Sequence, residues 1–159
     1  MELSDIYKQL AQFGNELLYK RSLEDGLPLI AQKAKEIIGA NRCSVFVYDE
    51  KHQQLRTTLA DGVEKIILPS DKGIAGETLQ KQKVLRVNDL NKDKNFFAEI
   101  DKQTGYRTYN LLTAPIYSPT REIMGVLELL NKEGGFKQRD EKLITLFTHY
   151  LSGFIELNK

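Results

Sequence analysis

Residues 111–130 read Leu111-Leu112-Thr113-Ala114-Pro115-Ile116-Tyr117, then Ser118-Pro119-Thr120-Arg121, then Glu122-Ile123-Met124-Gly125-Val126-Leu127-Glu128-Leu129-Leu130. Leu111–Tyr117 and Ile123–Leu130 are apolar runs of strand length, and Ser118–Arg121 between them carries turn chemistry. Two such runs joined by a short turn predict a β-hairpin, which makes the pair antiparallel. Gly134-Gly135 then breaks the chain. Beyond it Leu143, Ile144, Leu146, Phe147, Tyr150, Leu151, Phe154, Ile155 and Leu157 recur at helical spacing, which predicts one long helix over Lys137–Leu157.

Working back from the hairpin, Val84–Val87 reads as a strand and Asn88–Asn110 as a long polar connection. That connection holds Asn88, Asp89, Asn91, Lys92, Asp93, Lys94 and Asn95 before the adjacent aromatics Phe96 and Phe97. A polar connection of this length in a compact domain points to a binding loop. Upstream lie a short helix at Ile74–Gln82 after Gly73, and short strands at Glu64–Leu68, Leu55–Leu59 and Cys43–Tyr48. Leu23–Ile38 reads as a helix with Ser22 as N-cap, Pro28 near its first turn and Gly39 as its stop. Leu3, Ile6, Leu10, Phe13 and Leu17 form an a/d stripe over about two heptads, widened by Tyr7 and Leu18, so the first twenty residues predict one amphipathic helix.

The order of elements predicts an α+β fold. A central antiparallel sheet should carry the N- and C-terminal helices on one face and the pocket helices and loops on the other. Residues 1–21 are expected to act as an amphipathic dimerisation helix and residues 22–159 as the domain proper.

Composition narrows the function classes. The 159 residues hold 23 Lys+Arg and 22 Asp+Glu, a net charge of +1, which argues against a nucleic-acid binder. A single cysteine, Cys43, excludes an internal disulfide and a cysteine-based zinc site, and suits a reducing cytoplasm. Only His52 and His149 are present, which leaves little for metal binding or acid–base chemistry. No apolar run approaches the roughly 18 residues of a membrane span. The acidic start Met1-Glu2-Leu3-Ser4-Asp5 does not read as a signal peptide.

Four segments resemble the GAF domain family, and more narrowly the cyclic-nucleotide-binding GAF domains of phosphodiesterases and certain bacterial adenylate cyclases. They are Arg42–Phe46; Pro69–Gly76; Asp101–Thr108 with Asn110-Leu111-Leu112; and Gly125–Lys132 with Phe136 and Asp140-Glu141. The last contains Asn131-Lys132, then Phe136, Asp140 and Glu141, similar to the family's NKFDE signature. The resemblance covers about residues 22–157. It implies a sensory domain that binds a cyclic purine nucleotide, cyclic AMP or cyclic GMP, as a regulatory ligand and not as a cofactor. The Leu3–Leu17 stripe and the Lys137–Leu157 helix leave apolar faces that one sheet need not cover, so a homodimer through the terminal helices is expected, with the output in a domain or partner outside this chain.

The resemblance also implies the site. Ile74 and Ala75 stand at the phosphate, Ser44 faces the purine and Phe97 covers the pocket. Asp101 and Thr108 resemble residues that contact the base, and Thr104 is a polar candidate beside them. Glu128 sits in an apolar strand, and a buried acid needs a partner, so it either meets a ligand group or turns outward by strand alternation. The residues themselves suit such a role. Gly73 and Gly76 let backbone approach closely, and the N–H groups of a helix start hold a phosphate without a Lys or Arg clamp. Thr104 and Thr108 also fit a solvated loop with local hydrogen bonds. Asn131, Lys132, Phe136, Asp140 and Glu141 read as structural support, with Lys132 and Asp140 pairing across the Gly134-Gly135 turn. One position departs from the family pattern. Where members carry an aromatic and an acid after the second strand, this chain reads Leu59-Ala60-Asp61-Gly62. That removes a stacking contact worth about 1–3 kcal/mol.

Other activities of the fold find little support. A free methionine sulfoxide reductase works through several cysteines, and Cys43 alone cannot form the disulfide its turnover needs. A bilin or haem sensor needs a Cys on the long connection or a His near the pocket, and no His lies between Gln53 and Thr148. A dimerisation module that binds another small ligand, or none, is the main alternative.

Overall fold

Residues 2–60, 65–92 and 105–158 are described by the computed structural model. Helices α1 (Leu3–Leu18) and α2 (Leu23–Ile38) precede strands β1 (Ala40–Asp49), β2 (Gln54–Ala60) and β3 (Ile67–Pro69). Helix α3 (Gly73–Lys81), strand β4 (Leu85–Val87) and a 3-10 turn at Leu90–Lys92 follow. The chain then forms β5 (Leu111–Tyr117), β6 (Ile123–Lys132) and helix α4 (Gln138–Leu157). The strands make one sheet in the order β3-β2-β1-β6-β5-β4. Every neighbouring pair is antiparallel. The fold is therefore α+β, as the hairpin at 111–130 predicts. Asp61 and Gly62, the predicted strand start at Glu64, and Phe97, Asp101 and Thr104 lie outside the described residues.

Local chemistry sets the helix ends. The Ser22 hydroxyl accepts the Asp25 N–H at 3.2 Å and starts α2. Gly39 ends it in the left-handed conformation, φ 91°. Lys137 is the N-cap of α4 and not its first helical residue, because the Asp140 carboxylate accepts the Lys137 N–H at 2.8 Å. Strand β6 runs two residues past the predicted Leu130, since Asn131 and Lys132 continue the ladder: Lys132 stands opposite Ala40 on β1.

Strand alternation gives the sheet two buried faces. Cys43, Val45, Leu112, Ala114, Ile116, Leu127 and Leu129 pack under α1, α2 and α4. In that layer Phe13 of α1 meets Phe147 and Tyr150 of α4, with ring centroids 5.7 and 5.1 Å apart. The α1 stripe is narrower than its sequence suggests: Ile6, Phe13 and Leu17 are buried, whereas Leu3, Tyr7 and Leu18 face outward. The opposite face carries Phe46, Leu55, Leu68 and Val126 under Ala75 and Leu79 of α3.

The turn from β6 into α4 is fastened by one carboxylate. Asp140, 1% exposed, accepts Lys132 Nζ at 2.7 Å as well as the Lys137 N–H. The last residue of the signature, Glu141, meets Arg86 of β4 at 3.2 Å. Phe136 is buried in the helical layer.

Two outcomes follow from this packing. A Cβ on Gly125 would stand 1.9 Å from the Phe46 carbonyl oxygen, a backbone atom of the paired strand. Gly125→Ala must therefore push β1 and β6 apart, and thermal unfolding should show a loss of about 3 kcal/mol or more, roughly 6–12 °C in Tm. For the ion pair, Asp140→Ala strands a largely buried ammonium and should cost roughly 3–5 kcal/mol. A double-mutant cycle with Lys132→Ala should return a coupling above about 1 kcal/mol. Additive effects would show that the two residues do not interact energetically.

Candidate functional site

The α3 face of the sheet holds a row of polar residues in an otherwise apolar setting. Ser44 on β1 stands opposite Glu128 on β6, and Glu128 stands opposite Thr113 on β5. Leu127 and Leu129 point into the helical layer, so alternation turns Glu128 to the α3 side. Ser44 and Thr113 are buried. Helix α3 lies across this row. The Thr78 hydroxyl reaches the Ile74 carbonyl oxygen at 2.8 Å and shares a hydrogen bond with the Thr113 hydroxyl.

The start of α3 is shaped for close backbone approach. Gly73 adopts φ 70°. A Cβ on Gly76 would stand 2.9 Å from the Ser70 carbonyl oxygen, so no side chain fits there. Ile74 packs with Leu90 and Leu111, and Ala75 with Phe46, Leu55, Leu68 and Val126. These contacts seat the first turn of α3 on the sheet. The first N–H groups of a helix have no intrahelical acceptor and carry the positive end of its dipole. Among the described candidate residues no lysine or arginine is present and Glu128 is the one carboxylate. Such a site suits a ligand with a single negative charge and hydrogen-bonding edges, bound through backbone N–H groups, hydroxyls and one acid.

Of the residues predicted from sequence, Ser44, Ile74, Ala75 and Glu128 come together on this face through β1, β6 and α3. Thr108 is buried on the segment leading into β5. Phe97, Asp101 and Thr104 fall outside the described residues. The five signature residues gather instead at the β6–α4 turn. Thr113 belongs to the polar row and Thr78 of α3 bonds to it, but both were missed by sequence reasoning. The available signal was parity: Thr113 is the polar residue in an apolar strand, and the hairpin register sets it opposite Glu128. Cys43 is fully buried among the residues of the helical layer, on the other side of the sheet from this row.

Comparisons with known proteins agree with this architecture. The chain is 36% identical over 102 residues, 61% of its length, to the cGMP-specific 3',5'-cyclic phosphodiesterase of Drosophila melanogaster, of which it spans 9%. The same figures hold for the phosphodiesterase of Drosophila simulans. Among solved structures it resembles the GAF domain of a phosphoenolpyruvate-protein phosphotransferase from Coxiella burnetii, with TM-score 0.86, 19% identity, and coverage of 98% of this chain and 95% of that one. It also resembles a free methionine-R-sulfoxide reductase from Neisseria meningitidis, with TM-score 0.81, 18% identity, and coverage of 96% and 89%. At these identities the structural likeness is one of fold. The family model for the GAF domain matches residues 22–154, and with the six-stranded sheet and its helical layer in place, the chain belongs to the GAF domain family.

Proposed function

We propose that this domain is a regulatory sensor that binds a cyclic purine nucleotide, cyclic AMP or cyclic GMP, on the α3 face of its sheet. The observation that carries the reading is the Ser44–Glu128–Thr113 row set in register on the α3 face, with Thr113 bonded to Thr78 of α3. In this reading the first-turn N–H groups at Ile74 and Ala75 hold the cyclic phosphate. Ser44 and Glu128 meet the ligand from the sheet. Asp101, Thr104 and Thr108 read the base edge, and Phe97 covers it. The similarity to phosphodiesterases described as cGMP-specific supports a cyclic nucleotide over other ligands of the fold. The domain acts without catalysis of its own. Its one cysteine belongs to the helical layer, which disfavours a thiol-based reductase despite the likeness to that fold.

A second reading has one observation in its favour. The chain reads Leu59-Ala60-Asp61-Gly62 where family members carry an aromatic residue, so it lacks that ring to stack on a purine. A small ligand without a purine, or a domain that dimerises without ligand, is then the alternative.

The proposed output runs through α1 and α4, with the domain acting as a homodimer in the cytoplasm on a domain or partner protein beyond this chain. Leu18 and Leu157 are 74% and 78% exposed. They flank a groove of about 640 Å³ between α1 and α4 that is also lined by Gly14, Leu17, Leu146 and Tyr150. A second copy laid along these helices would bury that apolar surface.

Thermal melting and titration calorimetry test the ligand. A nucleotide at a hundred times its dissociation constant should stabilise the native state by about 2.7 kcal/mol, a rise of roughly 5–10 °C. Linear 5′-monophosphates should give much less, because a site of backbone donors has no counter-charge for a dianion. Thr108→Ala should weaken binding and alter the preference between adenine and guanine. Silence with both cyclic nucleotides at millimolar concentration transfers support to the second reading. For the assembly, light scattering should return twice the 18.2 kDa chain mass. Leu146→Asp should restore a monomer, and a monomeric parent protein at high concentration would reject the dimer.

A further inference from the structure

Both ends of the 88–110 connection are tied to the turn that starts α4. Asn88 follows β4 directly, and its amide pairs with both main-chain groups of Phe136: Nδ2 donates to the carbonyl oxygen at 3.0 Å and Oδ1 accepts the N–H at 2.8 Å. Asn110 precedes β5 directly and treats Lys132 the same way, donating to its carbonyl oxygen at 3.0 Å and accepting its N–H at 2.9 Å. Each side chain thus mimics a strand residue pairing with a neighbour. Asparagine carries a donor and an acceptor on one short planar group; aspartate lacks the donor and alanine lacks both.

The turn between these two clasps is built to receive them. Gly135 lies against Asn88, where a Cβ would stand 3.0 Å from Oδ1, and its φ of 86° also calls for glycine. Asn131, at φ 60°, adds a third tie: its Oδ1 accepts the Tyr109 N–H at 2.7 Å and its Nδ2 donates to the Arg107 carbonyl oxygen at 2.8 Å. On the far side, Lys132 and Lys137 both bind Asp140 in the first turn of α4. On the near side, Leu90 packs with Ile74 of α3, and buried Thr108 lies two residues before Asn110.

We propose that Asn88 and Asn110 are paired positioning residues that join the α3 face to the first turn of α4. A ligand that shifts Leu90 or Thr108 moves one or both clasps. The turn at 132–136 passes the shift to Asp140 and the start of the helix. This relay rests on the ligand reading for its trigger, while the clasps themselves are a property of the protein without ligand.

Amide hydrogen exchange on the full chain tests it, with and without saturating cyclic GMP, in the parent protein, Asn88→Ala and the core variant Ile30→Val as a control for general destabilisation. Without nucleotide, Asn88→Ala should speed exchange at residues 137–142 by about tenfold relative to residues 150–157, the effect of losing two hydrogen bonds. Ile30→Val should leave that ratio unchanged. With nucleotide, the parent should gain protection at 137–142, and Asn88→Ala should lose most of that gain while calorimetry shows binding retained. Asn110→Ser serves in the same role if Asn88→Ala does not fold. An unchanged exchange ratio in the variant, or equal nucleotide protection in variant and parent, overturns the relay. If calorimetry shows no nucleotide binding to the parent, the ligand reading falls, and the nucleotide-free ratio alone upholds or rejects the clasps.

Discussion

Gly125 allows β1 and β6 to run side by side at a point where any Cβ would meet the Phe46 carbonyl oxygen at 1.9 Å. The rest of the molecule depends on that pairing. It sets Ser44 opposite Glu128, and the β5–β6 hairpin then adds Thr113 to the same line. The same register sends Cys43, Leu127 and Leu129 to the other side, where α1, α2 and α4 cover them. Because the side-chain period of a strand is two, a slip of one residue would exchange the polar row for the core. Burial on both faces makes such a slip costly.

The two faces serve different ends. The helical side is a continuous apolar layer whose aromatic contacts, Phe13 with Phe147 and Tyr150, hold α1 to α4. The α3 side divides into two smaller apolar clusters, one around Ala75 and one around Ile74. The polar row at Ser44, Glu128 and Thr113 shares this face with them. Burying hydroxyls costs stability unless they are bonded, and the Thr78–Thr113 pair meets that need while tying α3 to β5. The Thr78–Thr113 bond thus fixes α3 on the sheet beside the polar row.

The NKFDE residues contribute at a distance from this row. Asn131 ties the chain before β5, Lys132 and Asp140 tie β6 to α4, and Glu141 reaches Arg86 on β4. A buried ion pair is weak evidence for stability by itself, since desolvation offsets much of its attraction. Here the Asp140 carboxylate also caps α4 through the Lys137 N–H, so one side chain sets both the angle and the start of the helix. That dual role makes Asp140 the anchor of the β6–α4 turn.

Much of the architecture was legible in the sequence. The hairpin at 111–130, the helical spacing after Gly135, and the Ser22 and Gly39 signals at the ends of α2 are local features, governed by periodicity and capping over a few residues. The family resemblance likewise rested on short segments in order. Pairings between distant residues were not legible. Nothing near Asn88 indicates that its amide will bind Phe136, and nothing near Thr78 points to Thr113, because each contact joins residues 48 and 35 positions apart in the chain. Leu3 shows the converse: it fits the apolar stripe of α1 yet lies exposed, since the partner layer begins only at Ile6. The sequence by itself determined which segments are helices and strands and, through four short motifs, the family. Only the tertiary structure decided which of them share a face, because strand order and register arise from burying both sides of one sheet at once.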